Sequence, residues 1–167
     1  MSTAITSAEA LRAVDLLASR PLVRLVTEID DNGAIPPRRL AATLSDLSAH
    51  QLRSASDTAH AHGLIRITPG AGLELTQTGT ELADLYDAMA RWARRHTVPA
   101  PVCEFSSRIR HVLDLLTPSL TAEPADNPSS LVGDGGAAGL GRLHMLLIRW
   151  LADNPQVARV SEPEPVA

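Results

Sequence analysis

Apolar residues recur every three or four positions along most of the chain, the spacing that gathers them on one face of an α-helix. In SAEALRAVDLLAS they fall at Leu11, Val14, Leu17 and Ala18, which predicts a first helix with Ser7 as its N-cap. RPLVRLVTEIDDNG continues with Leu22, Val23, Leu25, Val26 and Ile29, leaving little room for a wet face, so this second helix is expected at the centre of the core. Pro21 suits its first turn and Asn32-Gly33 its stop. The paired prolines of IPPRRLAATLSD restart a helix, and LSAHQLRSASDTAHAHGLI follows with Ser48 placed as N-cap and Gly63 as C-cap.

After Gly63 the period changes. LIRIT alternates apolar and polar, PGAG has the composition of a turn, and LELT alternates again, so residues 64–76 read as a short β-hairpin. Helical spacing returns in TQTGTELADLYDAMARWARRH, at Leu82, Leu85, Met89 and Trp92, and in VCEFSSRIRHVLDLLT, at Val102, Phe105, Ile109, Val112 and Leu116. The expected fold class is therefore mainly α with a small β-hairpin. Residues 1–117 form one domain with flanking helices, and residues 118–139, dominated by Pro, Gly, Ser, Ala and Asp, form a flexible linker. A last apolar helix is expected over 140–154 and a disordered tail over 155–167.

Composition narrows the class of protein. At 167 residues the chain suffices for one domain with a real core. Its formal net charge is −4, and all 15 cations are arginine. The absence of lysine, with abundant alanine and few aromatics, fits a GC-rich coding bias and a bacterial source. The single cysteine, Cys103, excludes an internal disulfide framework and suits a reducing cytoplasm. No window of about 18 apolar residues exists, and MSTAITSAEALR lacks the basic start and apolar run of a signal peptide, so a soluble cytoplasmic protein without membrane contact is expected.

Catalytic and metal chemistry find little support. There is no Gly-x-Ser-x-Gly elbow, no phosphate-cradling loop, no His-Glu-x-x-His and no dinucleotide fingerprint. GDGGAAGLG, residues 133–141, follows no strand and reads as linker. Cys103 and His111 stand about 12 Å apart along their helix, too far to form a couple. His60 and His62 point about 160° apart around theirs, and His50 lies about 15 Å from His60 along the axis, so these histidines do not share an ion. Neither an enzyme nor a resident cofactor or metal is expected.

The stretch 49–61 carries a different possibility. Wound as a helix, it places Leu52, Ala55, Ser56 and Ala59 on one side as a thin packing stripe, and His50, Arg53, Ser54, Asp57 and Ala61 on the other. The order of four helices, hairpin and helix is that of a winged helix-turn-helix, in which the outer face of the second helix enters the DNA major groove. Arg53 could reach guanine O6 and N7, while Ala49, His50, Gln51 and Ser54 could meet base edges or phosphate. Arg38, Arg39 and Arg66 complete the candidate DNA-binding set. Asp57 would repel phosphate unless it pairs with Arg53 or accepts from a cytosine amine. Between Ala34 and Thr68, four arginines face Asp46 and Asp57, a local +2 within a chain of −4.

The matching pieces RLVTEIDDNG, RRLAATLSDLSAHQL, HGLIRI and LELTQTGTELADLYDAMARWARRH give the segment from Ala18 to His96 its likeness to a known family. It resembles the HxlR-type winged helix-turn-helix transcriptional regulators and, more distantly, the MarR type. The resemblance implies double-stranded DNA as partner, a pseudo-palindromic site and a homodimer. The interface would be shared by residues 8–18, 80–95, 102–116 and 140–151. A small apolar effector is expected around Leu85, Met89, Trp92, Phe105 and Trp150. The bare wing tip PGAG, Asp57 on the reading face and the acidic balance leave a second reading open, a winged-helix scaffold without DNA binding that serves protein interaction or small-molecule binding.

Overall fold

The computed structural model describes residues 6–96, 105–121 and 136–158. Helix α1 (Ser7–Leu17) is capped by Thr6 rather than Ser7. The reason lies in Glu9, which stands three residues after Thr6: the Thr6 hydroxyl accepts from the Glu9 amide at 3.2 Å and the Glu9 carboxylate accepts from the Thr6 amide at 2.8 Å. The buried face of α1 is Ala10, Ala13, Val14 and Leu17, while Leu11 is 52% exposed. Helix α2 (Arg20–Asn32) buries the five residues expected of it and ends at Gly33, whose φ of 86° suits only glycine. It packs against helices on either side and against the hairpin, as its apolar girth requires.

After α2 the backbone makes one strand-like contact, an isolated bridge in which the Ile35 amide donates to Leu73 at 3.1 Å and the Leu73 amide returns a bond to Ile35 at 2.9 Å. A single bridging residue leaves no alternation in the sequence, so the pattern of apolar positions could not announce it. A 3-10 turn over Pro37–Arg39 leads into the short helix α3 (Leu40–Thr43), and buried Leu44 and Leu47 carry the chain to helix α4 (Ala49–Ala61). Ser48 caps α4 as expected. At the other end His62 is the C-cap, and Gly63 follows with φ 70°.

Strands β1 (Ile65–Thr68) and β2 (Gly72–Leu75) pair antiparallel with Ile65 opposite Leu75 and Arg66 opposite Glu74. Thr76 then opens helix α5 (Gln77–His96) by accepting from the Gly79 amide at 3.2 Å. Gly79 permits the close approach of α5 to the hairpin, because a methyl group there would overlap the Leu64 carbonyl. At the heart of the core, fully buried Tyr86 donates its hydroxyl to the Leu17 carbonyl at 2.7 Å, tying α5 to the end of α1.

Helix α6 (Phe105–Thr121) and helix α7 (Gly136–Asp153) both extend into the stretch expected to be linker. Residues 118–121 remain helical through Pro118 because Leu120, four residues after buried Leu116, keeps an apolar side chain against the core. The Thr117 and Thr121 hydroxyls bond back to the carbonyls of Leu113 and Thr117, at 2.7 and 3.1 Å, around the proline that lacks an N–H. At the start of α7, Gly139 lies so close to Trp92 that a methyl group would come within 2.8 Å of the indole, a contact that joins α7 to α5. The remainder of the expected linker, 122–135, lies outside the described residues, as do Val102 and Cys103.

The tail needs the same correction. A 3-10 turn over Pro155–Val157 follows α7, and Val157 and Ala158 are each 4% exposed, so burial orders a segment that composition assigned to disorder. Residues 159–167 lie outside the described set. Helix α7 packs on α5 and α6 of its own chain through Leu143, Leu147, Trp150 and Leu151, leaving Met145, Leu146 and Ile148 exposed. The structure is mainly α with one small antiparallel hairpin. Among the described residues, no helix is long and apolar enough to cross a membrane.

Candidate nucleic-acid interface

The position of α4 is fixed by an ion-pair clamp at its leading turn. Asp46, in the turn between α3 and α4, receives Arg24 through two bonds of 3.0 Å and Arg20 through one of 2.9 Å. Arg20 and Arg24 are four residues apart on α2, so their guanidinium groups share one helix face and close on the same carboxylate. Hydrogen bonding from Arg24, reinforced by the positive charge of both arginines, holds the Asp46 carboxyl below its usual range. The turn is thereby fastened to α2. Counted only as a negative charge, Asp46 could not be recognised as this clamp from sequence, since its partners lie more than twenty residues away.

The α4 capping box is complete: the Gln51 amide donates to the Ser48 hydroxyl at 3.1 Å and the Ser48 amide donates to the Gln51 side-chain oxygen at 2.9 Å. Gln51, expected to read DNA, therefore spends its side-chain acceptor on the helix terminus. The inner stripe is buried at Leu52, Ala55 and Ala59, with Ser56 half-buried beside them. Ala49, His50, Arg53, Ser54 and Asp57 are exposed on the outside. Asp57 and Arg53 form no ion pair among the described residues. His50, Gln51, Ser54 and Thr58 also edge a cleft of 280 Å³ against Leu16, Ser19 and Pro21 at the junction of α1 and α2.

The surrounding arginines differ in availability. Arg38 and Arg39 are exposed in the 3-10 turn ahead of α3 and have no ion pair among the described residues. Arg66 meets Glu74 at 3.5 Å across the hairpin, where register places them opposite each other, and Thr68 donates to the same carboxylate at 2.7 Å. Its charge is partly neutralised at the hairpin.

The histidines remain apart. His60 is exposed, whereas His62 is half-buried at the end of α4, and burial pushes its imidazole below the usual histidine range. The His62 carbonyl accepts from Gln156 at 3.2 Å, so the ordered tail touches the end of α4. No group of three or more potential ligands gathers to hold a metal among the described residues.

The five residues expected around an effector all belong to or pack against one hydrophobic core, and two of them share a cleft. Leu85 and Trp150 line a cleft of 350 Å³ between α5 and α7, together with Leu146, Glu81, Asp84, Arg149 and Asp153. Met89 is fully buried, Trp92 stacks on His96 with centroids 4.9 Å apart, and Phe105 lies half-buried at the start of α6. The charged rim went unread because i,i+3 and i,i+4 spacing groups Glu81 with Asp84 and Arg149 with Asp153 but does not reveal which helix each pair faces. No protein-family model matches this chain, and neither a curated protein nor a solved structure matches it.

Proposed function

We propose that the chain is a winged helix-turn-helix regulator that binds double-stranded DNA through the outer face of α4. The observation that carries this reading is the union of a capped, clamped helix with an outer face of His50, Arg53 and Ser54 left to solvent. The element order supports it as well. Helix α2, the bridging residue Ile35, the short helix α3, a turn, α4 and the hairpin follow the sequence of a winged helix, with Ile35 in the place of its first strand.

In this reading Arg53 reads a guanine edge while His50 and Ser54 contact base edges or phosphate. Arg38 and Arg39 neutralise the backbone, and Arg66 contributes less because Glu74 shares its charge. Asp57, unpaired with Arg53, either accepts from a cytosine amine or opposes binding. Exposed Leu11, Leu115, Met145 and Ile148 lie on helices assigned to a dimer interface, which favours a homodimer on a pseudo-palindromic site.

Sequencing duplexes retained from a randomised pool tests the proposal. The expected product is an inverted repeat whose half-site centres lie about 10 base pairs, or a multiple of that, apart. A retained pool with no common sequence would leave the alternative, an interaction scaffold without DNA binding.

A further inference from the structure

The cleft between α5 and α7 carries chemistry that the face of α4 does not use. Its 350 Å³ is at the lower end of the range for small-molecule sites, about 300–1,000 Å³. The floor is apolar: Leu85 and Trp150 are each 5% exposed, and Leu146 adds a side chain that is 45% exposed. The Trp150 indole N–H donates to the Thr78 carbonyl at 3.3 Å, so the ring offers the cleft hydrocarbon rather than a donor.

The rim is acidic. Glu81 and Asp84 on α5 and Asp153 on α7 face a single cation, Arg149. The Glu81 side chain accepts from Gln77 at 3.2 Å, whereas the side chains of Asp84, Asp153 and Arg149 have no hydrogen bond or ion pair among the described residues. Beyond the rim, Asp30 and Asp87 both stand above the usual carboxylate range, first through desolvation and then through repulsion from neighbouring aspartates including Asp31 and Asp84, which at Asp87 outweighs the opposing charges of Arg91 and Arg94.

We propose that the α5–α7 cleft binds a small organic cation bearing an apolar arm, of the arylalkylammonium class. Its charge settles between Asp84 and Asp153, and its arm covers Leu85, Leu146 and Trp150. An anion would meet three carboxylates, and a purely apolar molecule would strip water from them without compensation. The ligand class therefore differs from the apolar effector expected from sequence. The site is independent of whether α4 binds DNA.

Isothermal titration of the full chain at about pH 7, where the amine is protonated, tests the site with phenylpropylammonium, its neutral isostere phenylpropanol and the anion phenylpropanoate. The expected result is saturable one-site binding of the ammonium, with the alcohol at least about tenfold weaker and the carboxylate silent. In the Asp84→Asn/Asp153→Asn double variant, affinity for the ammonium should fall about tenfold or more while the alcohol is unaffected. Equal binding of ammonium and alcohol, no saturation below about 10 mM, or undiminished affinity in the folded double variant would overturn the proposal. Should the variant fail to fold, the comparison of ammonium with alcohol on the parent chain decides it alone.

Discussion

Single residues in this chain act mainly by fixing where backbones meet. Tyr86 spans from α5 to the last turn of α1, and its buried hydroxyl has the Leu17 carbonyl as acceptor. Tyr86→Phe should lower stability by about 1 kcal/mol in urea denaturation, since one hydrogen bond is lost with little change in packing. The acidic group at the α2–α5 contact acts in the opposite sense. Asp87 binds its proton more tightly in the folded chain than an ordinary carboxylate does, so its contribution is fully present at pH below the ordinary aspartate value of 3.8 and is lost as pH rises through its raised folded value. Asp87→Asn should therefore raise Tm by about 1–2 °C at neutral pH, with no gain near pH 3, in thermal melts. Much at this scale was legible. Ser48 and the Asn32-Gly33 stop declare themselves through local chemistry, whereas Asp46 and Tyr86 depend on partners distant in sequence that no local pattern specifies.

At the scale of elements, periodicity located the helices and the hairpin because amphipathic spacing reports one buried face. It failed where burial overrode composition. Pro118 and the glycines opening α7 signal a break, but Leu120 and the Gly139–Trp92 contact hold those stretches in helices. The tail segment Pro155–Val157 is ordered for a similar reason, with Val157 buried. Ile35 is invisible to periodicity altogether, being one residue of strand. Gly79 is a sensitive junction between elements, since α5 leaves the hairpin with its backbone against the Leu64 carbonyl. Gly79→Ala should cost about 3 kcal/mol, seen as a lower denaturation midpoint, because backbone rather than a flexible side chain must yield. An unchanged midpoint would show that α5 can shift away from the hairpin freely.

Across the whole molecule, a chain of hydrogen bonds joins the α5–α7 cleft to the end of α4. Buried Asn154 donates to the Trp150 carbonyl at 2.8 Å, Gln156 donates to Asn154 at 3.4 Å, and the same Gln156 amide reaches the His62 carbonyl at 3.2 Å. The backbone of Trp150, whose side chain floors the α5–α7 cleft, is thus linked through the ordered tail to the end of the helix proposed to read DNA. Gln156→Ala should speed hydrogen exchange of the His62 and Gly63 amides about fivefold while leaving α2 unchanged. The outer face of α4 was legible as a set of residues from its helical spacing. Its support was not, because the Arg20–Asp46–Arg24 clamp and the tail contact are properties of packing. The most direct measurement of the central claim is a fluorescence-anisotropy titration of the enriched duplex with the parent chain and Arg53→Ala over a range of salt. Affinity should fall steeply with salt for both, and Arg53→Ala should bind about tenfold or more weakly with relaxed preference at one base pair. Equal affinity and preference for the two proteins, or binding indifferent to salt, would contradict a DNA-reading role for α4.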